Sequence, residues 1–296
     1  LRGAGEAAEK GIIQPILVGP RSKIESVARE FGLDIAPYEI VDADHSHSAA
    51  ERAVQLVHEG RAELLMKGSL HTDELMSAIV RSGTGLRSAG RRLCHSCPFR
   101  SGNRAQTRAP VRRCRPSRPS VVGGDLNRRS GTGLRTNRRI SHCFIMDVPN
   151  LDRAIFVTDA AINIFPTMED KMHIIQNAID LAHSLGMEKP KVAILSAMET
   201  INPKLQSTIE AGALCKMADR GQITGGVLDG PLALDNAIDL DAAKIKKIES
   251  PVAGKADILV VPDLEAGNML AKSLSFMADA DAAGIVLGAR VPIILT

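Results

Sequence analysis

The sequence has few aromatic residues: its 296 residues include no Trp, one Tyr and six Phe. Surfaces on which unpaired bases could stack would be scarce, so single-stranded nucleic acid is a poor candidate ligand. Five cysteines, an odd number, do not form a disulfide framework and favour a reducing cytoplasm. The sequence also lacks an apolar run long enough to cross a membrane, and its first residues do not resemble a signal or transit peptide. These absences predict a soluble cytoplasmic protein.

Positive charge is concentrated in one segment. Residues 88–135 hold twelve Arg, no Lys and one acid, a charge of +11, whereas the rest of the chain has 25 basic and 33 acidic residues, a charge of −8. The segment has neither helical nor strand periodicity, so we predict a disordered Arg-rich insertion. A patch that binds nucleic acid or an acidic partner is the alternative interpretation.

An exact repeat flanks this segment. Arg81-Ser82-Gly83-Thr84-Gly85-Leu86-Arg87 recurs letter for letter at Arg129–Arg135, an offset of 48 residues. A single repeat around a compositionally foreign segment indicates an insertion or duplication and not a solenoid. Within the segment, Cys94-x-x-Cys97 lacks a second pair of ligands, and the eight His show no His-x-x-x-His spacing, so we predict no metal site.

Helix-like and strand-like segments alternate before the insertion, which predicts a largely parallel sheet covered by helices. The predicted strands are 15–19, 38–41 and 62–66, and the predicted helices are 4–10, 23–31, 49–58 and one from about Asp73.

After the insertion, 142–148 and 154–158 predict an antiparallel hairpin. A long helix is predicted from an N-cap at Thr167 to a stop at Gly186, then a strand at 192–196 and a helix opened by Asn202-Pro203. The whole sequence predicts a two-domain α/β protein. Its parts are a first α/β domain at 1–87, the insertion at 88–135 and a second α/β domain at 136–296.

Polar residues directly after predicted strands are the candidate site residues, because ligands bind at the carboxyl ends of strands in open α/β sheets. Lys67-Gly68-Ser69-Leu70-His71-Thr72-Asp73 combines a lysine, hydroxyls, a glycine and helix-start N–H groups, which together suit an anion. The same residues also fit a plain helix cap by Ser69 or Thr72, with Lys67 in solvent. The segment is neither a Walker A loop nor a dinucleotide-binding motif.

Three further strand ends carry polar residues. Asp159 and Asn163 stand in an otherwise apolar strand end, where either a ligand site or an internal hydrogen bond would explain them. Asp229 with Pro231, and the run that ends in Asn268, place an acid beside a tight turn. Several such ends in one chain indicate a cleft.

The string Lys67–Met76 resembles the phosphate acetyltransferase and phosphate butyryltransferase family. Four later strings, in the same order as in the family, strengthen the resemblance: Arg138–Pro149, Thr158–Pro166, Val227–Ala237 and Val261–Met269. The resemblance covers Leu1 to about Arg87 and Arg129 to Thr296. It implies a fold like the isocitrate and isopropylmalate dehydrogenases, with a cleft between two α/β domains, and a homodimer. The implied reaction is acetyl-CoA plus phosphate giving acetyl phosphate plus CoA.

That reaction needs groups that hold two anions, stabilise a tetrahedral oxyanion and return a proton to the thiolate. It needs no metal, no covalent intermediate and no bound cofactor, since coenzyme A is a substrate. Motif match and strand-end position assign phosphate and oxyanion contacts to Lys67, Ser69, His71, Thr72 and Arg135, with Asp159 and Asn163 orienting them from across the cleft. The coenzyme A side is assigned to Asp229, Pro231 and Asn268.

The sequence departs from the family pattern in three places. The family begins one strand before the equivalent of Leu1. The insertion splits the family's Gly-Leu-Arg-Thr-x-Arg-Arg-Ile-Ser run, so Arg87 or Arg135 could take the native place, and the uninterrupted continuation favours Arg135. Beyond Thr296 the family continues into a Ser-Arg…Asp segment with an anion-binding arginine and a proton-handling aspartate. The catalytic residues therefore stay unknown, and we expect little or no turnover from this chain.

Other functions remain open at this point. Acetyl or butyryl preference depends on the volume of the acyl pocket. A decarboxylating dehydrogenase of similar fold would need clustered metal-binding aspartates and a nicotinamide site. A catalytically inactive CoA-binding homologue and a nucleic-acid tether formed by the Arg-rich segment are the remaining alternatives.

Overall fold

The computed structural model describes residues 1–81, 85–86, 138–289 and 291–295. The predicted insertion at 88–135, with Arg135 and the Cys94-x-x-Cys97 pattern, lies outside the described residues. The described residues form an α/β fold with a mixed sheet. None of the helices within the described ranges is both long and apolar enough to cross a membrane.

The first part of the chain alternates helices and strands, as predicted. Strand β3 is shorter than the predicted 62–66, and the helix predicted from about Asp73 begins one residue earlier. The elements are α1 (Arg2–Glu9), β1 (Ile16–Gly19), α2 (Arg21–Glu30), β2 (Glu39–Asp42), α3 (Ser46–His58), β3 (Leu65–Met66) and α4 (Thr72–Val80).

The second part contains most of the strands. Its elements are β4 (Ser141–Asp147), β5 (Ile155–Thr158), α5 (Met168–Ser184), β6 (Lys191–Leu195), α6 (Gln206–Asp219), β7 (Val227–Leu232), α7 (Leu234–Ile238), α8 (Leu240–Ile245), β8 (Ile258–Val260), α9 (Leu264–Met277), β9 (Asp281–Leu287) and β10 (Ile293–Ile294). The predicted antiparallel hairpin is confirmed, because β4 pairs with β5 in antiparallel register. The predicted cap of α5 is also confirmed, since the Thr167 hydroxyl accepts a hydrogen bond from the backbone N–H of Asp170.

The helix start predicted at Asn202-Pro203 is wrong. Helix α6 begins at Gln206, with Leu205 at the N-cap. The Asn202 side chain instead accepts a hydrogen bond from the backbone N–H of Lys204 at 2.9 Å, and its backbone N–H donates to the Thr208 hydroxyl at 2.9 Å. Asparagine side chains form such local turns as readily as they cap helices, so the pattern has two solutions.

Two sheets are formed by the described strands. Strands β1 and β2 pair in parallel, and the other eight form one sheet in the order β3-β10-β9-β4-β5-β8-β6-β7. The pairs that involve β9, and the β4–β5 pair, are antiparallel, whereas β3–β10, β5–β8, β8–β6 and β6–β7 are parallel. The larger sheet is therefore mixed.

Strand direction decides where the candidate site residues lie. Three antiparallel pairings separate β3 from β5, so these two strands run in opposite directions. The segment that follows β3 and the segment that follows β5 accordingly leave the sheet at opposite edges. Strands β5, β8, β6 and β7 run in the same direction, so their carboxyl ends share one edge.

Both faces of the central strands are covered. On one face, α5 and α6 pack on β4, β5, β6 and β8 around Phe156, Ile175, Ile179 and Leu214. On the other face, α7 to α9 cover Met146, Val157 and Leu259. A third cluster joins α3 and α4 to β3, β9 and β10. Burial on both faces explains why the central strands are apolar at consecutive positions.

Candidate functional site

The segment between β3 and α4 is held by its lysine and by the neighbouring strand. The Lys67 backbone N–H donates to Ile294 at 2.9 Å, and its ammonium donates to the carbonyls of Gly68 and Leu70, each at 3.2 Å. Ser69 is exposed, and Lys67 and Thr72 are half-buried. The Lys67 side chain therefore folds back over the loop that follows it and stays partly exposed to solvent.

Helix α4 is capped by a different residue from those proposed. Ser69 lies outside the helix, Thr72 is its first residue and His71 occupies the N-cap position. The backbone N–H of His71 donates to the Glu74 carboxylate at 3.1 Å, and the Ser46 hydroxyl donates to the same carboxylate at 2.8 Å. The bond from Ser46 is the main cause that lowers the pKa of Glu74. Glu74, and not the exposed hydroxyl of Ser69, thus organises the start of α4.

A buried carboxylate organises the turn after β5. Asp159 is 3% exposed, and one of its oxygens accepts hydrogen bonds from the backbone N–H groups of Ala161 and Ile162, both at 3.0 Å. Its second oxygen accepts from the backbone N–H of Asn163 at 3.3 Å and from the Asn163 side chain. Burial raises the pKa of Asp159, and these hydrogen bonds oppose the rise.

The Asn163 side chain uses both of its amide hydrogens inside the protein. Its Nδ2 donates to Asp159 and to the carbonyl of Ile140, the latter at 2.9 Å. Its Oδ1 accepts a hydrogen bond at 2.8 Å from Nε of Arg139, whose guanidinium also lies 3.3 Å from the Asp170 carboxylate. Asn163 has no donor left for a ligand in this arrangement, so the internal hydrogen bond is the interpretation that its geometry supports.

The structure brings some predicted residues together and keeps others apart. Asn268 on α9 donates to the carbonyl of Ala160 at 3.4 Å, so it adjoins the Asp159 turn. Among the described residues, Leu70 from the loop after β3 and Ile162 from the Asp159 turn pack on the same apolar cluster.

The two residues assigned from β7 are placed differently from the prediction. Asp229 and Pro231 lie within β7 itself and not beyond its end, in the strand farthest from β3. The Asp229 carboxylate accepts a hydrogen bond from the backbone N–H of Gly230 at 2.8 Å. Pro231 is buried.

Two residues beside the Asp159 turn were not among the predicted site residues. Arg139 belongs to the quoted Arg138–Pro149 string, but nothing in its spacing identifies Asn163 as its partner. His142 is buried, and its backbone lies near the Asp159 carboxylate and lowers the pKa of that group. A histidine in an apolar strand carries no local signal for that contact. Among the described residues, no group of three or more His, Cys, Asp or Glu could hold a metal ion.

Comparison with known proteins identifies the family. The model of the family "Phosphate acetyl/butaryl transferase" matches residues 131–296. A phosphate acetyltransferase of Rhizobium meliloti is 57% identical over 100% of this chain and 78% of its own length. A phosphate butyryltransferase of Clostridium acetobutylicum is 37% identical over 100% of this chain and 82% of its own length. This chain belongs to the phosphate acetyl/butyryl transferase family.

A solved structure of the same kind agrees with the fold. The crystal structure of a branched-chain phosphotransacylase from Enterococcus faecalis superposes with a TM-score of 0.67 at 28% identity, over 89% of this chain and 77% of that chain. The family match includes the Asp159 turn, β7 and Asn268. The segment after β3 lies in the part of the chain that the full-length relatives cover.

Proposed function

We propose that this chain transfers an acetyl group between coenzyme A and inorganic phosphate, so that acetyl-CoA and phosphate give acetyl phosphate and CoA. The observation that carries the proposal is the 57% identity to a phosphate acetyltransferase over the whole chain. Identity to phosphate butyryltransferases is lower, at 37% for the Clostridium acetobutylicum protein, which makes butyryl transfer the second candidate.

The reaction joins a phosphate oxygen to the thioester carbonyl and expels the thiolate. Donors that face the carbonyl oxygen stabilise the tetrahedral intermediate, and a second set of donors holds the phosphate dianion. Lys67, Ser69, His71 and Thr72 supply an ammonium, hydroxyls and an imidazole at the end of β3. We assign these side chains, with Arg135, to phosphate and oxyanion contacts.

The turn after β5 has an orienting role in this proposal. Asp159 and Asn163 are buried and bonded to each other, so they shape the backbone from Ala160 to Asn163 and do not contact phosphate themselves. Asn268 touches that turn and belongs to the coenzyme A side, together with Asp229 and Pro231.

The finer architecture is also part of the proposal. We infer an arrangement like the isocitrate and isopropylmalate dehydrogenases, with residues 1–87 and 136–296 as two domains on either side of a cleft, and a homodimer in the cytoplasm. The separate two-stranded sheet of β1 and β2 supports this inference for the first part of the chain. Coenzyme A would enter as a substrate, without a bound cofactor.

Thiol release tests the proposed function. The chain is mixed with acetyl-CoA or butyryl-CoA, with and without phosphate, and free CoA is measured with a thiol reagent. Against the sequence-based expectation of little or no turnover, the proposal predicts phosphate-dependent release that is faster with acetyl-CoA. CoA release that does not depend on phosphate, or no CoA release from either thioester, would contradict the proposal.

A single substitution tests the assignment of the β3 end. Ser69→Ala removes a donor to a charged ligand, a contact worth about 1.5–3 kcal/mol, so we expect KM for phosphate to rise about tenfold or more. Ser77→Ala, at an exposed position of α4, is the matched control and should keep the KM of the unmodified chain. Equal kinetics for the two variants would remove Ser69 from the site.

A further inference from the structure

Two adjacent arginines precede β4 and both pair with helix α5, but only one of them reaches the Asp159 turn. Arg138 forms an ion pair with Asp180, and Arg139 forms one with Asp170. Arg139 also donates from Nε to Asn163 at 2.8 Å. The two residues therefore share one type of surface contact and differ in the contact to Asn163.

Two hydrogen bonds in sequence connect Arg139 to the Asp159 carboxylate through the Asn163 amide. Arg139 fixes Oδ1 of Asn163, which leaves Nδ2 directed at Asp159 and at the carbonyl of Ile140. The amide of Asn177 on α5 holds the start of β4 from the other side, through the carbonyl of Arg139 and the hydroxyl of Ser141, each at 2.9 Å. A flipped Asn163 amide would place two donors toward Arg139 and an acceptor toward Asp159, so the arginine selects one amide orientation.

We propose that Arg139 is a positioning residue that acts through the Asn163 amide to hold the Asp159 carboxylate, and with it the turn from Asp159 to Asn163, at the carboxyl end of β5. The inference rests on the proposed function, in which this turn orients the acyltransfer site. Arg139 does not contact substrate in this role. Neither the family match nor the predicted site residues assign it a role.

The charge around Asp159 gives the proposal a measurable consequence. Beside the carboxylate lie Cys143 and His142 on β4, both buried, and Arg139 before β4 with its partner Asp170 on α5. Arg139 is the cation of this set. Its bond to Asn163 orients the amide whose hydrogen bond lowers the pKa of Asp159, so the loss of Arg139 should raise that pKa.

The experiment compares three variants of the full chain. Arg139→Met removes both contacts of Arg139, Arg139→Lys keeps a positive charge for Asp170 but lacks the Nε–H group, and Arg138→Met is the matched control. Carbon-13 NMR of Asp-labelled protein follows the Asp159 carboxyl through a pH titration, with the signal assigned by its absence in Asp159→Asn. The pH dependence of kcat and KM for phosphate-dependent thiol release is measured on the same samples.

We expect the two Arg139 variants to raise the pKa of Asp159, because the Asn163 amide is no longer held against its carboxylate. We also expect kcat/KM for phosphate to fall about tenfold, with the acid limb of the profile moved to higher pH. Arg138→Met should match the unmodified chain. Two results would overturn the proposal: a pH profile of kcat/KM for Arg139→Lys like that of the unmodified chain, or the same Asp159 titration in the Arg139 and Arg138 variants. Either would mean that Arg139 only forms an ion pair at the surface.

Failure of the proposed function is distinguishable from failure of this inference. If the unmodified chain shows no phosphate-dependent release, the proposed function fails, and the NMR titration still decides whether Arg139 controls Asp159. If release occurs and the titrations of all variants coincide, the positioning role alone is wrong.

Discussion

At the scale of single residues, His142 is an imidazole held in the sheet without a partner for one ring nitrogen. The residue is 1% exposed, and its Nδ1 has no hydrogen-bond partner among the described residues. Its ring packs edge-on against Phe144, with centroids 4.3 Å apart, and a Cβ added at Gly284 would lie 2.8 Å from Nε2. Burial lowers the pKa of His142 to about 4.

This burial makes stability depend on pH. The pKa of histidine is about 6.5 in the unfolded chain and about 4 for His142 in the folded protein. Between these pH values the unfolded chain binds a proton that the folded protein does not bind, so acid favours unfolding. We expect the unfolding free energy to fall by about 3 kcal/mol as pH drops through this range, measured by urea denaturation. His142→Gln should flatten that part of the curve.

The unmodified chain, titrated in parallel, is the reference for this prediction. If His142→Gln loses stability between pH 6.5 and 4 as steeply as the unmodified chain does, the acid sensitivity arises elsewhere.

At the scale of elements, helix α5 contacts its neighbours through buried polar side chains as well as apolar ones. Its Lys171, 5% exposed, forms an ion pair at 2.5 Å with Glu210 on α6. Further along α5, Gln176 donates to the carbonyl of Thr224 at 3.0 Å. Polar groups on the buried face restrict how α5 can slide against its neighbours, because each needs its own partner.

Removal of one partner from the buried pair should be strongly destabilising. Glu210→Ala leaves the Lys171 ammonium buried and unpaired, for which we expect a loss of about 3–5 kcal/mol in chemical denaturation. The double variant Lys171→Met/Glu210→Leu should recover most of that loss. Asp219→Ala, which breaks the exposed pair with Lys216, should change stability by about 1 kcal/mol or less. Similar losses for both single variants would contradict this account of Lys171.

At the scale of the whole molecule, the sequence itself defines a deletion of the Arg-rich segment at residues 88–135. The exact repeat means that removal of 88–135 joins Arg87 to Thr136 and leaves one uninterrupted Gly-Leu-Arg-Thr run.

That deletion should change charge far more than stability. It takes the formal net charge from +3 to −8, so we expect retention on a cation exchanger at pH 7 to be lost. The midpoint temperature of thermal unfolding should change by no more than about 4 °C, which corresponds to a change of roughly 1 kcal/mol in unfolding free energy for a domain of this size. A variant in which the twelve arginines of residues 88–135 are replaced by Ser keeps the length of the chain and removes the charge, so it separates the effect of charge from the effect of length. A deletion variant that fails to fold would show that the segment contributes to the core.

Much of the fold could be predicted from local patterns. The hairpin of β4 and β5, the Thr167 cap of α5 and the alternation before Arg81 follow from periodicity and capping chemistry, which act within a few residues. The start of α6 was missed because Asn202 can bond to its own turn as well as cap a helix. The contact of Arg139 with Asn163 was missed because the partners lie 24 residues apart in the sequence.

The sequence by itself determined the family, the α/β class, most helices and strands, and the residue types of the candidate site. Only the tertiary structure decided that the β3 and β5 ends leave the sheet at opposite edges, and that the Asn163 amide donates to Asp159 and to the carbonyl of Ile140. Local elements follow from interactions between near neighbours along the chain. The direction of a strand and the partner of a buried amide depend on which distant segments pack together, since a buried polar group bonds whatever the fold places beside it.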